Sequence, residues 1–245
     1  MIESSGVMAS ARPGHRERLV VERGCWTLLW QALPGIRAGL SGRQVLTRPD
    51  LAPSDREPTA HIDQVHGCDV VVAQGEGSAG PADGLVTAQG DLRLVIRVAD
   101  CLPVLLAVPG GVAAVHAGWR GAAGDITGRA LGRLLEESGG TAEEVVAWIG
   151  PAIGVCCFEV GPEVASAFPA AVRRAGPRRD HVNLAAAVAG QLIELGVPGA
   201  AIDISGYCTR CHQHLWHSHR GSGGQPGRLL AWITRPGQDD SSVAR

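Results

Sequence analysis

The sequence predicts an α+β fold, and three observations lead there. Strand-like apolar runs and helix-like stretches mix along the chain without a regular βαβ period. The length, 245 residues, fits one large domain or two small ones and is enough to bury a substantial core. Hydrophobic residues make up 45%, an ordinary globular share, and no repeat at a solenoid period divides the chain.

The elements follow in order. Residues 1–18 are polar, carry Gly and Pro, and are expected to form a disordered leader; the domain then spans 19–236. Leu19 to Leu33 is apolar but broken, as one or two strands would be. Residues 34–60 are rich in Pro, Gly, Arg and Asp and read as loop. Val70 to Ala73 is a short strand after a His66-Gly67 turn, and Gly75 to Pro81 a glycine-rich loop. Leu92 to Val98 alternates, with Leu92, Leu94, Ile96 and Val98 on one face. Val104 to Val108 is continuously apolar, as a strand buried on both faces requires. Pro109-Gly110-Gly111 turns the chain into a strand from Val112 to His116.

After the glycine-rich Gly118 to Gly124, the segment Asp125 to Glu137 has helical spacing through Ile126, Ala130 and Leu134. Asp125 serves as its N-cap and Gly139-Gly140 as its stop. Val145 to Ile149 reads as strand, Val160 to Ala167 as helix, and Leu184 to Leu195 as a helix ended by Gly196 and Pro198. Ile202 to Ile204 and Leu229 to Ile233 read as strands, and residues 237–245 as a polar tail.

Composition excludes several chemistries. All 22 cationic side chains are Arg, so there is no Schiff-base, P-loop or kinase-type lysine. Any fixed cation that meets a phosphate or carboxylate must be an arginine fork. A net charge of −2 and 4% aromatic residues give neither a basic face nor a stacking platform for nucleic acid. The N-terminus has no apolar signal core, and the most apolar stretch, Val104 to Trp119, is interrupted and too short to span a membrane. A cytoplasmic protein is expected, in which the seven cysteines are thiols or metal ligands.

Four constellations could carry chemistry. His66 stands at a strand-to-turn corner, Cys101 where one strand ends before Pro103, and His116 at the close of a strand. One thiolate and two imidazoles suit Zn²⁺ with a fourth position left open. Cys101 and His116 could equally be a nucleophile and its base, or a small buried residue and a hydrogen-bonded corner. Next, the Gly118–Gly124 segment leads into a helix, with Arg120 as its cation. Such a start attracts anions, or it is only a tight turn that needs glycine.

Cys208-Thr209-Arg210-Cys211-His212 matches a haem-attachment pattern, but no export signal precedes it and the only methionines are Met1 and Met8. It runs on to His219, and on a strand His212 and His214 would share one face and His217 and His219 the other. This cluster is expected to be an exposed polar strand that takes up stray metal in vitro. Finally, Cys156-Cys157 reads as a packing pair, with Glu159 nearby as an acid or base.

Read in order, five motifs resemble one family: Gln64-Val65-His66-Gly67, Ala82-Asp83-Gly84-Leu85-Val86-Thr87, Ala99-Asp100-Cys101-Leu102-Pro103, Ala114-Val115-His116-Ala117-Gly118-Trp119-Arg120-Gly121, and Ile149-Gly150-Pro151 through Gly161. They look like the laccase-domain proteins, once called multicopper polyphenol oxidases. Members are described as purine nucleoside phosphorylases with adenosine deaminase and methylthioadenosine phosphorylase activity, and some as peptidoglycan-editing factors. The resemblance is dense from about residue 60 to 165 and resumes at Asn183-Leu184, Cys208-Thr209 and Trp216 to Arg220. It departs at Ala38 to Arg43, a degraded H-G-F-S-x-R-like match, and at Arg220-Gly221, where the second of two arginines is lost.

The resemblance implies a single laccase-type domain with a mixed β-sandwich core and flanking helices, similar to putative Cys–His hydrolases. It implies that His66, Cys101 and His116 are zinc ligands and catalytic groups. Gln64, Asp100, Arg120, Arg43, Arg220 and Glu159 are then expected around a nucleoside and phosphate. The protein is expected as a monomer or homodimer without nucleic-acid or membrane partners. A hydrolase that edits cell-wall precursors and an inactive metal-binding relative are the alternatives. Copper oxidation ranks below them, because one Cys and two His offer one copper site and a laccase needs several.

Overall fold

The structure is a computed structural model that describes residues 16–22, 25–43, 57–225 and 227–237. The strands are β1 (Glu17–Glu22), β2 (Cys25–Trp30), β3 (Arg37–Ser41), β4 (Thr59–Asp63), β5 (Val70–Val72), β6 (Gly77–Pro81), β7 (Gly84–Thr87), β8 (Arg93–Val98), β9 (Leu102–Val108) and β10 (Gly111–Ala117). Helices α1 (Trp119–Ala123) and α2 (Ile126–Ser138) follow, then β11 (Val146–Ile149), α3 (Pro162–Ala165), β12 (Arg173–Arg174) and β13 (His181–Val182). Helix α4 (Leu184–Glu194), β14 (Ile202–Ile204) and β15 (Leu229–Thr234) complete the order.

Two apolar faces on the same strands set the architecture. On β9, Leu102, Val104, Leu106 and Val108 join one buried cluster, while Leu105 and Ala107 join another. On β10, Ala113, Val115 and Ala117 alternate in the same way with Val112 and Ala114. One cluster packs under Ile126, Leu134, Val188 and Leu192 of α2 and α4. The other fills the space against Leu28, Leu40, Leu94 and Ile96 of the facing sheet. The result is a mixed α+β domain of two sheets with helices over one of them. One sheet has the order β1-β2-β3-β15-β8-β4-β6 and the second β14-β11-β9-β10-β7-β5. Only a strand enclosed by a sheet on one side and helices on the other needs the unbroken apolar run of β9.

Several expectations are met closely. Leu92, Leu94, Ile96 and Val98 are all buried. Asp125 caps α2 by accepting from the Gly128 amide, and Gly139 ends it in the left-handed region. Asn183, the only asparagine in the chain, caps α4 by accepting from the Ala186 amide at 3.1 Å. Replacing it by Ala is expected to cost about 1 kcal/mol. Calorimetry should then show a fall in Tm of about 2–4 °C for a protein of this size.

Other expectations are corrected. The segment 34–60 is not all loop, since β3 and the start of β4 lie within it; its residues 44–56 lie outside the described residues. β1 begins at Glu17, inside the expected leader; the rest of that leader, and the tail beyond 237, lie outside the described residues. The glycine-rich 75–81 contains β6, which runs parallel to β4 at the sheet edge. An edge strand tolerates Gly and Pro because one side of its backbone needs no partner. Pro103 does not break the chain but sits within β9, opposite His116; the corner is made by Asp100 at φ 76°. The Gly118–Gly124 segment is mostly the short helix α1. Residues 209–216 fold as successive turns rather than a strand.

Candidate metal centre

Three chain corners meet at the open end of the two sheets. His66 lies beyond β4 in a loop held from both sides. The Gln64 side chain continues the ladder onto β8: its Nε2 donates to the Arg97 carbonyl and its Oε1 accepts from the Arg97 amide, both at 2.8 Å. On the other side, the Asp83 carboxylate accepts from the amides of Val65 at 3.2 Å, His66 at 3.0 Å and Gly67 at 2.6 Å. His66 holds φ 59°, a left-handed conformation that lets successive amides converge on one anion.

His116 is near the end of β10, in step with Val112 and Ala114 on the face between the sheets, and only 3% exposed. Its Nδ1 lies 2.7 Å from Asp83 Oδ1. That contact assigns the Nδ1 proton to the Asp83 bond and leaves Nε2 for a ligand. Cys101 follows the strained Asp100 corner between β8 and β9 and is partly buried. The ligand atoms of His66, Cys101 and His116 all lie within 4.8 Å of one another. The His66 and His116 rings meet edge to face at 4.8 Å.

The donor set fits a zinc-like cation. Bonds of about 2.3 Å to sulfur and 2.0–2.1 Å to nitrogen would draw these atoms only slightly closer. A buried carboxylate behind a ligating imidazole is the arrangement that fixes tautomer and ring angle. The electrostatics of the protein alone point the same way. Burial pushes the pKa of His116 down, but the hydrogen bonds it donates to Asp83 and Cys101, and their charge, outweigh burial and lift it to about 9. Burial and the charge of His116 lower the pKa of His66. Burial raises that of Asp83, but the His116 and amide hydrogen bonds hold it below the usual carboxylate range. A cation would replace the proton on His116, so its binding strengthens as pH rises.

The trio opens into a cavity of about 530 Å³, a size that suits a small organic ligand. Gln64 and Asp100 stand beside it. Trp119, Ile153, Phe158 and Leu184 give it an apolar side, and Arg97, Arg220, Arg228 and His219 a polar one. Asp100 is fully engaged, accepting from Thr209 Oγ1 and from the Arg220 amide at 2.7 Å. It ties the turn-rich 208–220 segment to the corner that carries Cys101. The Arg220 guanidinium donates to the Glu159 carbonyl at 3.2 Å and lies over the Phe158 ring.

Three expected residues do not line the cavity. Arg120 is exposed, its guanidinium 4.5 Å from the centre of the Trp119 ring. With α1 in place of an open glycine loop, that side chain projects outward. Arg43 donates to the Gln213 carbonyl at 3.0 Å. Glu159 contributes its backbone, to Arg220 and in a bridge with His181. The site instead adds Asp83, Arg97, Arg228, Phe158 and His219, to which the sequence reading gave no role around a substrate. Asp83 and Phe158 lay in quoted motifs, His219 in the histidine cluster read as a stray-metal binder, and Arg97 is the polar position of an alternating strand. Arg228 carries no signal that spacing could reveal.

Among the described residues, no helix is long and apolar enough to cross a membrane. The family model for multi-copper polyphenol oxidoreductase laccase matches residues 43–236. A purine nucleoside phosphorylase of Bacteroides thetaiotaomicron is 37% identical over 161 residues, 62% of this chain and 60% of that protein. The purine nucleoside phosphorylase YlmD of Geobacillus stearothermophilus is 35% identical over 193 residues, 71% of this chain and 70% of that one. A protein named adenosine deaminase RL5, from an unknown prokaryote, is 34% identical over 192 residues, 70% of this chain and 73% of its own. The crystal structure of YlmD from Geobacillus stearothermophilus superposes with a TM-score of 0.76 at 29% identity, over 86% of this chain and 96% of that one.

Proposed function

The chain belongs to the multi-copper polyphenol oxidoreductase laccase family, and on that footing we propose that it is a zinc-dependent purine nucleoside phosphorylase. One observation carries the reading. A single cavity joins a Cys/His trio, an aromatic and apolar side, and three arginines. Those are the parts needed to hold a cation, a planar base and a phosphate together.

His66, Cys101 and His116 would hold the zinc. When bound, it would supply a Lewis acid beside the reacting bond. Phe158 and Trp119 offer faces for a purine ring, and Ile153 and Leu184 close that side against water. In a chain without lysine, Arg97, Arg220 and Arg228 are the lining cations that can fork onto phosphate. A phosphate oxygen attacks C1′ of the ribose, the C1′–N9 bond breaks, and the purine leaves with the electron pair. His219 is placed to donate a proton or hydrogen bond to the departing base. The products are the free purine and the sugar 1-phosphate: ribose 1-phosphate from inosine or adenosine, and 5-methylthioribose 1-phosphate from methylthioadenosine. Inosine, adenosine and methylthioadenosine are the proposed substrates. Adenosine deamination is a further activity of the same cavity, supported by the name of the relative RL5.

The test is phosphate dependence. Zinc-loaded protein incubated with each nucleoside should release base and sugar 1-phosphate only when phosphate is present. Base release that ignores phosphate, or no release at all, would sink the reading. Arg97→Ala and Arg228→Ala are each expected to raise the KM for phosphate about tenfold, the loss of roughly 1.4 kcal/mol of charge-assisted binding. The KM for the nucleoside should move much less, as steady-state kinetics will show.

A second reading has its own observation. His116, held as an imidazolium against Cys101 and oriented by Asp83, has the geometry of a Cys–His–Asp hydrolase. Cys101 would then attack an amide of a cell-wall precursor. The two readings separate on chelation, which removes activity only in the first.

A further inference from the structure

Four thiols that the sequence holds in two distant pairs meet on the flank of the cavity. Cys156 and Cys157 lie in the turn that leads to Phe158, and Cys208 and Cys211 in the turns that lead to His219 and Arg220. All four Sγ atoms lie within 4.8 Å of one another. Cys211 Sγ is 3.7 Å from that of Cys156 and 3.5 Å from that of Cys157. A tetrahedral zinc with Zn–S bonds of about 2.3 Å sets its sulfurs about 3.8 Å apart. Two of the six sulfur pairs lie close to that spacing and all six within 4.8 Å.

We propose that Cys156, Cys157, Cys208 and Cys211 form a second, structural zinc site. It is separate from the His66–Cys101–His116 trio and independent of the reaction assigned to the cavity. The donor set is all sulfur, chemistry that suits tetrahedral zinc as it suits iron–sulfur and Cu(I) centres, which the metal content tells apart. Four protein ligands leave no open position, which marks a structural site rather than a reactive one. The Gly154 amide donates to Cys208 Sγ at 3.2 Å, the support a bound thiolate needs. Two disulfides fit the arrangement less well. Cys211 is shared between two neighbours, and its shorter contact is well beyond the S–S bond length of about 2.05 Å.

The location gives the site its work. Ala152 and Cys208 form a backbone bridge, and the Thr209 amide donates to the Ala152 carbonyl at 2.9 Å. Zinc would fasten these two segments just where each enters the cavity wall. Four Zn–S bonds form, and the four thiols give up their protons to solvent. Phe158 on one segment and Arg220 on the other would then keep a fixed separation.

Metal counting tests this without any activity assay. Protein purified with zinc is expected to carry two zinc ions per chain, and Cys101→Ala one. Substituting cobalt into Cys101→Ala should then give the intense charge-transfer absorption of a four-thiolate centre. Cys156→Ser with Cys211→Ser should also carry one zinc and lose that absorption on cobalt exchange. Should the double variant fail to fold, the wild-type count and the Cys101→Ala spectrum still decide. The proposal is overturned by a single zinc that Cys101→Ala removes, or by iron or copper in place of the second zinc. It is equally overturned if freshly alkylated protein is two hydrogens light at these cysteines, the mark of a disulfide.

Discussion

Cys101→Ala is expected to lower nucleoside phosphorolysis by about 10³-fold, which corresponds to about 4 kcal/mol of lost transition-state stabilisation. Zinc at the trio should disappear with it. The residue is partly buried in a corner rather than in a packed core, so the variant should fold and melt close to the wild type. Two measurements on the same sample decide the matter. If metal and activity vanish together, and chelation of the wild type removes activity that zinc restores, Cys101 acts as a ligand. If phosphorolysis vanishes while the wild type works equally well after chelation, Cys101 acts without a metal and the zinc-dependent reading fails.

Asp83→Asn should produce the second-largest effect, although Asp83 touches neither substrate nor cation. Metal affinity is expected to fall about 10–100-fold, the usual cost of removing the carboxylate behind a ligating histidine. The amide that replaces it turns donors toward the backbone N–H groups of residues 65–67, which costs about 1–3 kcal/mol. A readout specific to positioning is the titration of His116 in metal-free protein. Its folded pKa of about 9 stands above the ordinary value of 6.5. The interaction therefore stabilises the metal-free wild type fully below about pH 6.5. That stabilisation is lost as pH rises through 9. In Asp83→Asn this loss should be smaller in stability measured against pH, leaving only the share that Cys101 supplies.

His66, Cys101 and His116 each drew attention at an expected strand end, through local signals such as His-Gly, Asp-Cys-Leu-Pro and His-Ala-Gly, but only the ordered motifs of the family resemblance joined them into one group, which the fold brings together. The alternation of β8 and the doubly buried β9 were legible locally, since a period of two needs only neighbouring residues. What escaped depends on contacts across the chain. Arg97 looked like one more outward-facing polar residue, and only the loop brought over by Gln64 makes its surface the rim of a cavity. Arg120 drew attention in a glycine-rich stretch, yet glycine spacing cannot distinguish an open anion loop from a short helix. Cys156-Cys157 read alone as a packing pair, and Cys208 to His212 as a haem-attachment match without an export signal; neither pointed to the other. Their meeting is held by the Ala152–Cys208 bridge and the bonds from Thr209 to Ala152 and from Gly154 to Cys208, and no local pattern announces such ties.

The position of β15 shapes how the molecule comes into being. It is the last strand among the described residues, yet it lies between β3 and β8 in the interior of its sheet. While the chain emerges from the ribosome, those two strands face each other across a gap, each with an open edge. Their pairing waits on a segment some 130 residues after β8, so closure is a late, long-range event and folding should be slow. The nascent chain is most prone to aggregate in that interval. Expression at reduced temperature or with chaperones should therefore raise the yield of soluble protein. A truncation that deletes β15 should give insoluble protein even though the trio lies wholly upstream of the cut.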